Sequence, residues 1–330
     1  MKPLVSALNL VPIREGQTHA QAFESMVSLA KTVEGLGYHR YWIAEHHNMP
    51  SLLSSATQIL VSHVLGHTHS IRVGAGGVML PNHSPLMVAE QYGTLATLYP
   101  GRVEIGLGRA PGTDYMTAAA LRRRKSDVAE RFPEDVQQLQ RFFGPADKQG
   151  QVRALPGMGL EVPLYVLGSS TDSAHLAAEL GLPYAFASHF APRMLDAALD
   201  VYRSEFQPSA VLSEPKTIVA LNVIAADTHD EARFLATSQE QFFLNIVRNT
   251  RRPLQPPVES MEGLWTESEE SMASQMLACS LIGSPDDIAH QFADLHGRVR
   301  ADEYLVVSYI YDEDKQHRAY QIFKDVVNAI

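Results

Sequence analysis

Glu45, His46 and His47 stand in a row where the apolar run YWIA gives way to NMP. A carboxylate beside two imidazoles supports three readings: metal ligation, proton transfer near neutral pH, or a hydrogen-bonded polar edge with no chemistry. Side chains alternate along a strand, so Glu45 and His47 share one face and His46 points to the other. Adjacent histidines therefore chelate poorly, and no metal is expected. A single imidazole acting as general acid/base or substrate anchor fits better, with a merely hydrogen-bonded rim histidine as the alternative.

Other unusual residues fall at comparable points in the chain. GAGG, Gly74 to Gly77, interrupts an otherwise apolar strand with three glycines. Glycine weakens a strand, so the run implies either a flat ligand lying against bare backbone or a bulge. GLGRAPG fails as a dinucleotide fingerprint, because Pro111 stands where the third glycine belongs. Arg109 within it reads as a phosphate or carboxylate clamp, or else as half of a surface ion pair. LGSSTDSAHLAAELG runs from strand directly into helix, with Ser169, Ser170, Thr171 and Ser173 around the first turn. Open N–H groups beside hydroxyls make an anion site, and capping alone needs only one such residue. In NHSPLMVAEQ, Ser84 as N-cap and Pro85 after it account for a helix start and leave His83 without a role.

The elements that must position these residues can be read from short Val-, Ile- and Leu-rich runs separated by stretches of helical period. Strands are expected at 4–11, 40–45, 71–80, 102–108, 163–169, 184–190, 217–226 and 303–311. Eight strands alternating with helices make an α/β chain, and the count is that of a (β/α)8 TIM barrel. Two connections, 110–162 and 227–302, are too long for simple βα loops and read as insertions after strands 4 and 7. The second carries Pro253, Pro256 and Pro257 and reads as a surface insertion, for which the sequence leaves open whether it is a mobile lid over the barrel mouth. In a barrel, the candidate residues gather at the C-terminal ends of the strands, on one rim. The reading from residues alone is a barrel holding a flat, phosphate-bearing ligand, with a histidine near its reactive part.

Composition narrows the partners. Lys plus Arg number 27 against 37 Asp plus Glu, a formal charge of −10, which disfavours nucleic acid and anionic membranes. The basic run at Arg122 to Lys125 reads as a solvated helix face. The single cysteine, Cys279, excludes an intramolecular disulfide and lies in an apolar context, as a buried inert thiol would. No signal peptide or membrane span is apparent, and a cytoplasmic location is expected.

AEHH after strand 2, VGAGGVMLPNHSP, LYPGRVEIGLGRAPG and YVLGSSTDSAHLAAELGLP together resemble the bacterial-luciferase-like flavin monooxygenases over residues 4 to 325. The resemblance implies one barrel domain spanning residues 1–330, in which reduced FMN (FMNH2) activates O2 to oxidise a small organic substrate. The FMNH2 would come from a separate NAD(P)H:flavin reductase, and a homodimer is expected. His46 matches the catalytic histidine. Glu45 beside it and His189, near a substrate-facing position, complete the implied catalytic set. Gly76 and Gly77 match a non-prolyl cis peptide beneath the flavin ring. Arg109, Arg131 and the loop of Gly168, Ser169, Ser170 and Ser173 match phosphate ligands. Gly108 stands where luciferase has a reactive cysteine, so luminescence is not implied. Hydride transfer with the deazaflavin F420 and non-catalytic flavin binding are the alternatives.

Overall fold

A computed structural model describes residues 2–110, 112–121 and 131–329. Pro111 and the basic run at Arg122 to Lys125 lie outside the described residues. The strands are β1 (Leu4–Asn9), β2 (Arg40–Ile43), β3 (Arg72–Met79), β4 (Val103–Gly108), β5 (Leu164–Gly168), β6 (Tyr184–Phe186), β7 (Thr217–Ala225), β8 (Ser280–Gly283) and β9 (Glu303–Val307). All pairings are parallel. The sheet runs β6-β5-β4-β3-β2-β1-β9-β7, and the β6–β7 pairing closes it into an eight-stranded (β/α)8 barrel.

β8 was not expected. Its four residues pair only with the upper half of β7, from Asn222 to Ala225, while the lower half of β7 pairs with β6 and β9. The run is too short to show period 2, and it sits between two helices of the long segment that precedes β9. Its outer side faces α10 (Pro285–Val299), where the Gln291 amide donates to Ile282 O at 2.8 Å and accepts from Ile282 N at 2.9 Å.

Strand alternation divides the apolar residues into two layers. Ala7, Tyr41, Ile43, Val73, Ile105 and Val306 face the helices, whereas Leu8, Trp42, Tyr165, Ile218 and Leu305 fill the barrel. The outer layer meets amphipathic helices such as α1 (His19–Gly35), which buries Met26, Val27, Ala30 and Val33. A reciprocal Thr18–Gln21 capping box starts that helix, and Gly37, at φ +71°, carries the chain out of it.

The N-terminal end of the barrel is plugged by charge. Arg40 is fully buried, with Nη1 2.8 Å from Glu104 Oε1 and Nε 2.8 Å from Glu303 Oε1. Its guanidinium lies 4.6 Å from the Tyr165 ring centroid, and Trp42 Nε1 donates to the same Glu104 oxygen at 2.9 Å. The charges offset one another at this end, although Arg40 Nε and Nη2 and Glu303 Oε2 have no hydrogen-bond partner among the described residues.

β3 changes register against β4 between Ala75 and Val78. The Gly76–Gly77 peptide bond within that irregularity is cis. A Cβ at Gly76 would lie 2.9 Å from Leu8 Cδ1 and Trp42 Cβ, and one at Gly77 would lie 2.7 Å from Gly106 O. The space these glycines leave is filled by protein, so the bulge by itself accounts for both residues.

Candidate active site

Three short segments build the rim. β2 ends at Ile43, two residues earlier than expected, and Glu45, His46 and His47 follow in irregular chain. The alternation persists. Glu45 turns toward the helix layer and is fully buried, and its Oε1 accepts from His47 Nε2 at 2.8 Å. The same oxygen accepts from His83 Nε2 at 2.7 Å, while Oε2 accepts from Met79 N at 3.0 Å. Burial opposes ionisation of Glu45, but hydrogen bonds from His47, His83 and Met79 prevail and hold its pKa down to about 2.

His83 is the residue that sequence reasoning set aside. It follows the 3-10 turn Leu80–Asn82 at the end of β3, and Ser84 occupies the N-cap of α3 (Pro85–Leu98) without a side-chain capping bond. Parallel pairing of β2 with β3 brings the two strand ends together, which is how His83 reaches a carboxylate 38 residues away. The only trace of this in the sequence was a histidine at a strand end.

His46 faces the barrel mouth. Its Nδ1 is buried without a hydrogen-bond partner among the described residues, and so is Nδ1 of His189, which lies beyond the end of β6. Burial lowers the His46 pKa to about 4, with Glu45 opposing the shift. Burial, reinforced by His46, lowers that of His189 to about 3. Both imidazoles are therefore neutral at pH 7, each with a ring nitrogen that can donate or accept. Asn222 of β7 fixes the His189 backbone by donating Nδ2 to its carbonyl at 2.6 Å.

The loop after β5 is shaped from within. A Cβ at Gly168 would fall 1.8 Å from Ser173 Oγ, so glycine there lets the strand end pass over the first turn of α6 (Thr171–Leu180). Ser173 is buried. Its hydroxyl donates to Ser170 O at 2.8 Å and meets Tyr184 Oη at 3.0 Å, which commits it to the loop's own architecture. Ser170 is the N-cap of α6 but makes no side-chain capping bond. Among the described residues, the hydroxyls of Ser169, Ser170 and Thr171 make no hydrogen bond, and no side chain caps the first N–H groups of α6. Arg109, just past β4, reaches this turn through Asp172, whose Oδ2 is 2.9 Å from Nη2. Arg131 is the exposed N-cap residue of α5 (Phe132–Phe143), the helix that packs on α3.

The segment read as a surface insertion is tied down at several points. Leu254 is fully buried and exchanges backbone hydrogen bonds with Ile13 and Glu15, both at 2.8 Å. Val258 N donates to Thr237 Oγ1 at 2.8 Å, and Arg251 Nη1 donates to Asn48 O at 2.7 Å. The chain from 250 to 258 is thus a strap that joins the loops after β1 and β2 to α8 (His229–Val247).

The family model for luciferase-like monooxygenases matches residues 5–301. The chain belongs to that family. A luciferase-like monooxygenase of Escherichia coli (strain K12) is 46% identical over 321 residues, covering 97% of this chain and 96% of its own. The crystal structure of apo-MsnO8 superposes with a TM-score of 0.88 at 31% identity, over 99% of both chains. The oxygenating constituent of 3,6-diketocamphane monooxygenase from Pseudomonas putida, a type II Baeyer–Villiger enzyme in complex with FMN, shares the fold. Its TM-score is 0.77 at 16% identity, over 100% of this chain and 99% of its own. This family member is an oxidoreductase built on a barrel with one polar rim. Among the described residues, none of its helices is long and apolar enough to cross a membrane.

Proposed function

We propose that the protein is the oxygenating component of a two-component monooxygenase, a single-domain enzyme that takes reduced FMN from a separate NAD(P)H:flavin reductase. The observation that carries this reading is the pair of neutral imidazoles of half-buried His46 and buried His189, each with a buried, unpartnered Nδ1. Buried polar atoms left unpaired are costly, so such atoms point to a ligand that completes them.

The residues fit a phosphorylated planar cofactor. The open hydroxyls of Ser169 and Ser170, the N-terminal N–H groups of α6 and the Arg109 guanidinium would hold the phosphate, with Arg131 as a second cation. Gly168 and Ser173 would shape that turn rather than touch the ligand. The placement of the ring beside Gly76 and Gly77 rests on the family resemblance, since the bulge already explains the glycines. Reduced flavin, when bound, supplies the two electrons with which O2 is activated.

The chain's own residues would do the rest. His46, neutral at working pH, offers one buried nitrogen that can give or take a proton at the reacting end of the site. His189 faces the same space from the opposite side of the barrel and would orient the substrate. The strap at 250–258 closes the β1–β2 side of the mouth and would limit water entry. Exposed Ile59, Met87 and Leu98, on α2 (Thr57–His67) and α3, would supply the interface of a homodimer.

Anaerobic titration with FMN, FMNH2 and F420 in parallel, followed by admission of O2, tests the reading. Preferential binding of FMNH2 and oxygen-dependent turnover with a substrate panel are expected. Binding of F420 alone would move the protein to hydride transfer. Binding of all three without turnover under either chemistry would favour a flavin carrier.

A further inference from the structure

The pair of imidazoles on Glu45 has no part in the flavin reading. Tying the end of β2 to the end of β3 requires one hydrogen bond to the Glu45 carboxylate, yet two rings converge on the same oxygen. We propose that Glu45, His47 and His83 form a binding site for one divalent transition-metal cation, of the zinc, manganese or iron(II) class.

Four observations support this. First, the three side chains each offer a ligand atom, and these atoms lie within 4.8 Å of one another. A metal bound at about 2.0–2.2 Å from each would set its ligands about 3.0–3.4 Å apart. The present N···O separations of 2.7 and 2.8 Å therefore need to widen only by a few tenths of an ångström. Second, the donor set is two imidazoles and one carboxylate, which favours borderline transition metals over calcium or magnesium and leaves coordination positions open to water.

Third, the carboxylate is held from behind, because Met79 N donates to Oε2 at 3.0 Å, while on Oε1 the cation would share the oxygen with only a long contact from the Asn82 amide at 3.5 Å. Fourth, both rings reach the surface. Glu45 is fully buried, but the His47 and His83 side chains keep 12% and 22% of their surface exposed. Binding requires each ring to present the Nε2 lone pair, so the ring proton moves to Nδ1 and the two N–H···O bonds are exchanged for metal bonds. The site lies on the opposite face of the chain from His46. Glu45 also stands in the catalytic set that the resemblance implies, so ion binding is measured without flavin and either reading can fail alone.

The test is equilibrium dialysis of the untagged, EDTA-treated full chain against Zn2+, Mn2+ or, anaerobically, Fe2+, with no flavin present. About one ion per chain is expected, with affinity falling roughly a hundredfold in His83→Ala. His83→Gln is the second variant, since its amide can still donate to Glu45 and keep the strand ends joined. It should fold with an unchanged melting temperature and still lose the ion. The exposed His63 and His67 rings, 4.4 Å apart on α2, are the competing binder, so His63→Ala is measured in parallel. Failure to bind any of the three ions overturns the proposal. So does binding that survives His83→Gln, or that disappears with His63→Ala alone. In either case Glu45 would be a hydrogen-bonded strut between strands.

Discussion

Arg109 Nη2 lies 2.9 Å from Asp172 Oδ2, which ties the end of β4 to the first turn of α6. Both side chains are about half exposed, so the pair contributes at most about 1 kcal/mol and exchanges readily. The carboxylate occupies the cation that an incoming phosphate would use, at the turn whose N–H groups and hydroxyls are open. In the flavin reading, this ion pair is a resting contact that the cofactor displaces.

Replacing Asp172 by Asn should therefore tighten FMN binding by a few-fold. Arg109→Ala should weaken it by roughly tenfold or more, the scale of a charge-assisted hydrogen bond. Fluorescence titration at two salt concentrations checks both. The Arg109→Ala defect should shrink at high salt, where the wild-type attraction is already screened.

Ser169→Ala combined with Ser170→Ala should lower flavin affinity without lowering the melting temperature. Neither hydroxyl caps α6 or bonds to another described residue, so removing them leaves no buried group unpaired. Gly168→Ala should behave oppositely and destabilise the protein by about 1–3 kcal/mol, because its Cβ has no room beside Ser173. Ser173→Ala should not rescue it, since the Ser173 Cβ itself lies 2.4 Å from the added carbon. Urea unfolding separates the two cases.

His46→Ala should retain flavin binding and lose turnover by about 10²–10⁴-fold, the usual contribution of a proton-transferring side chain. Binding and turnover are measured on the same preparation. Loss of binding alone would assign His46 to ligand affinity instead.

Arg40→Met should destabilise the protein by about 3–5 kcal/mol. The substitution keeps the volume roughly constant but leaves Glu104 and Glu303 buried with no cation between them. Adding Glu104→Gln and Glu303→Gln to that variant should recover part of the loss. Denaturant midpoints report both effects.

Acid stability has a readable contributor in Glu34. Burial opposes its ionisation, but together the N–H groups of Ser70, Ile71 and His69 outweigh it and hold its pKa down to about 2 from 4.5. The unfolded chain takes up the proton first, so the contribution is complete above about pH 4.5 and is lost as pH falls toward 2. Glu34→Gln should be less stable than wild type at pH 7 and should lose less stability between those values. Melting temperatures across that range provide the comparison.

The barrel was readable because its strands are continuous apolar runs bounded by turns, and each of the eight expected runs contains a barrel strand. β8 escaped because four residues carry no period and gain their pairing only from the overlong β7. At the rim, strand alternation correctly separated His46 from Glu45 and His47. The partnership with His83 was hidden, since it depends on the register of β2 against β3 and not on spacing within either strand. The glycine run allowed both a ligand and a bulge, and only the positions of Leu8, Trp42 and Gly106 show that the protein itself fills the gap. The sequence left open whether the Pro-rich segment is mobile, since the burial of Leu254 and its backbone bonds to Ile13 and Glu15 are tertiary facts.

The Gln291 amide on Ile282 has a consequence for solubility. Closing a barrel removes sheet edges, but β8, added outside the ring, creates a new one. Gln291 offers the central residue of that edge one donor and one acceptor, as a neighbouring strand would. One side chain thus denies the edge to a foreign chain seeking to extend the sheet, and its removal would expose a template for intermolecular strand addition.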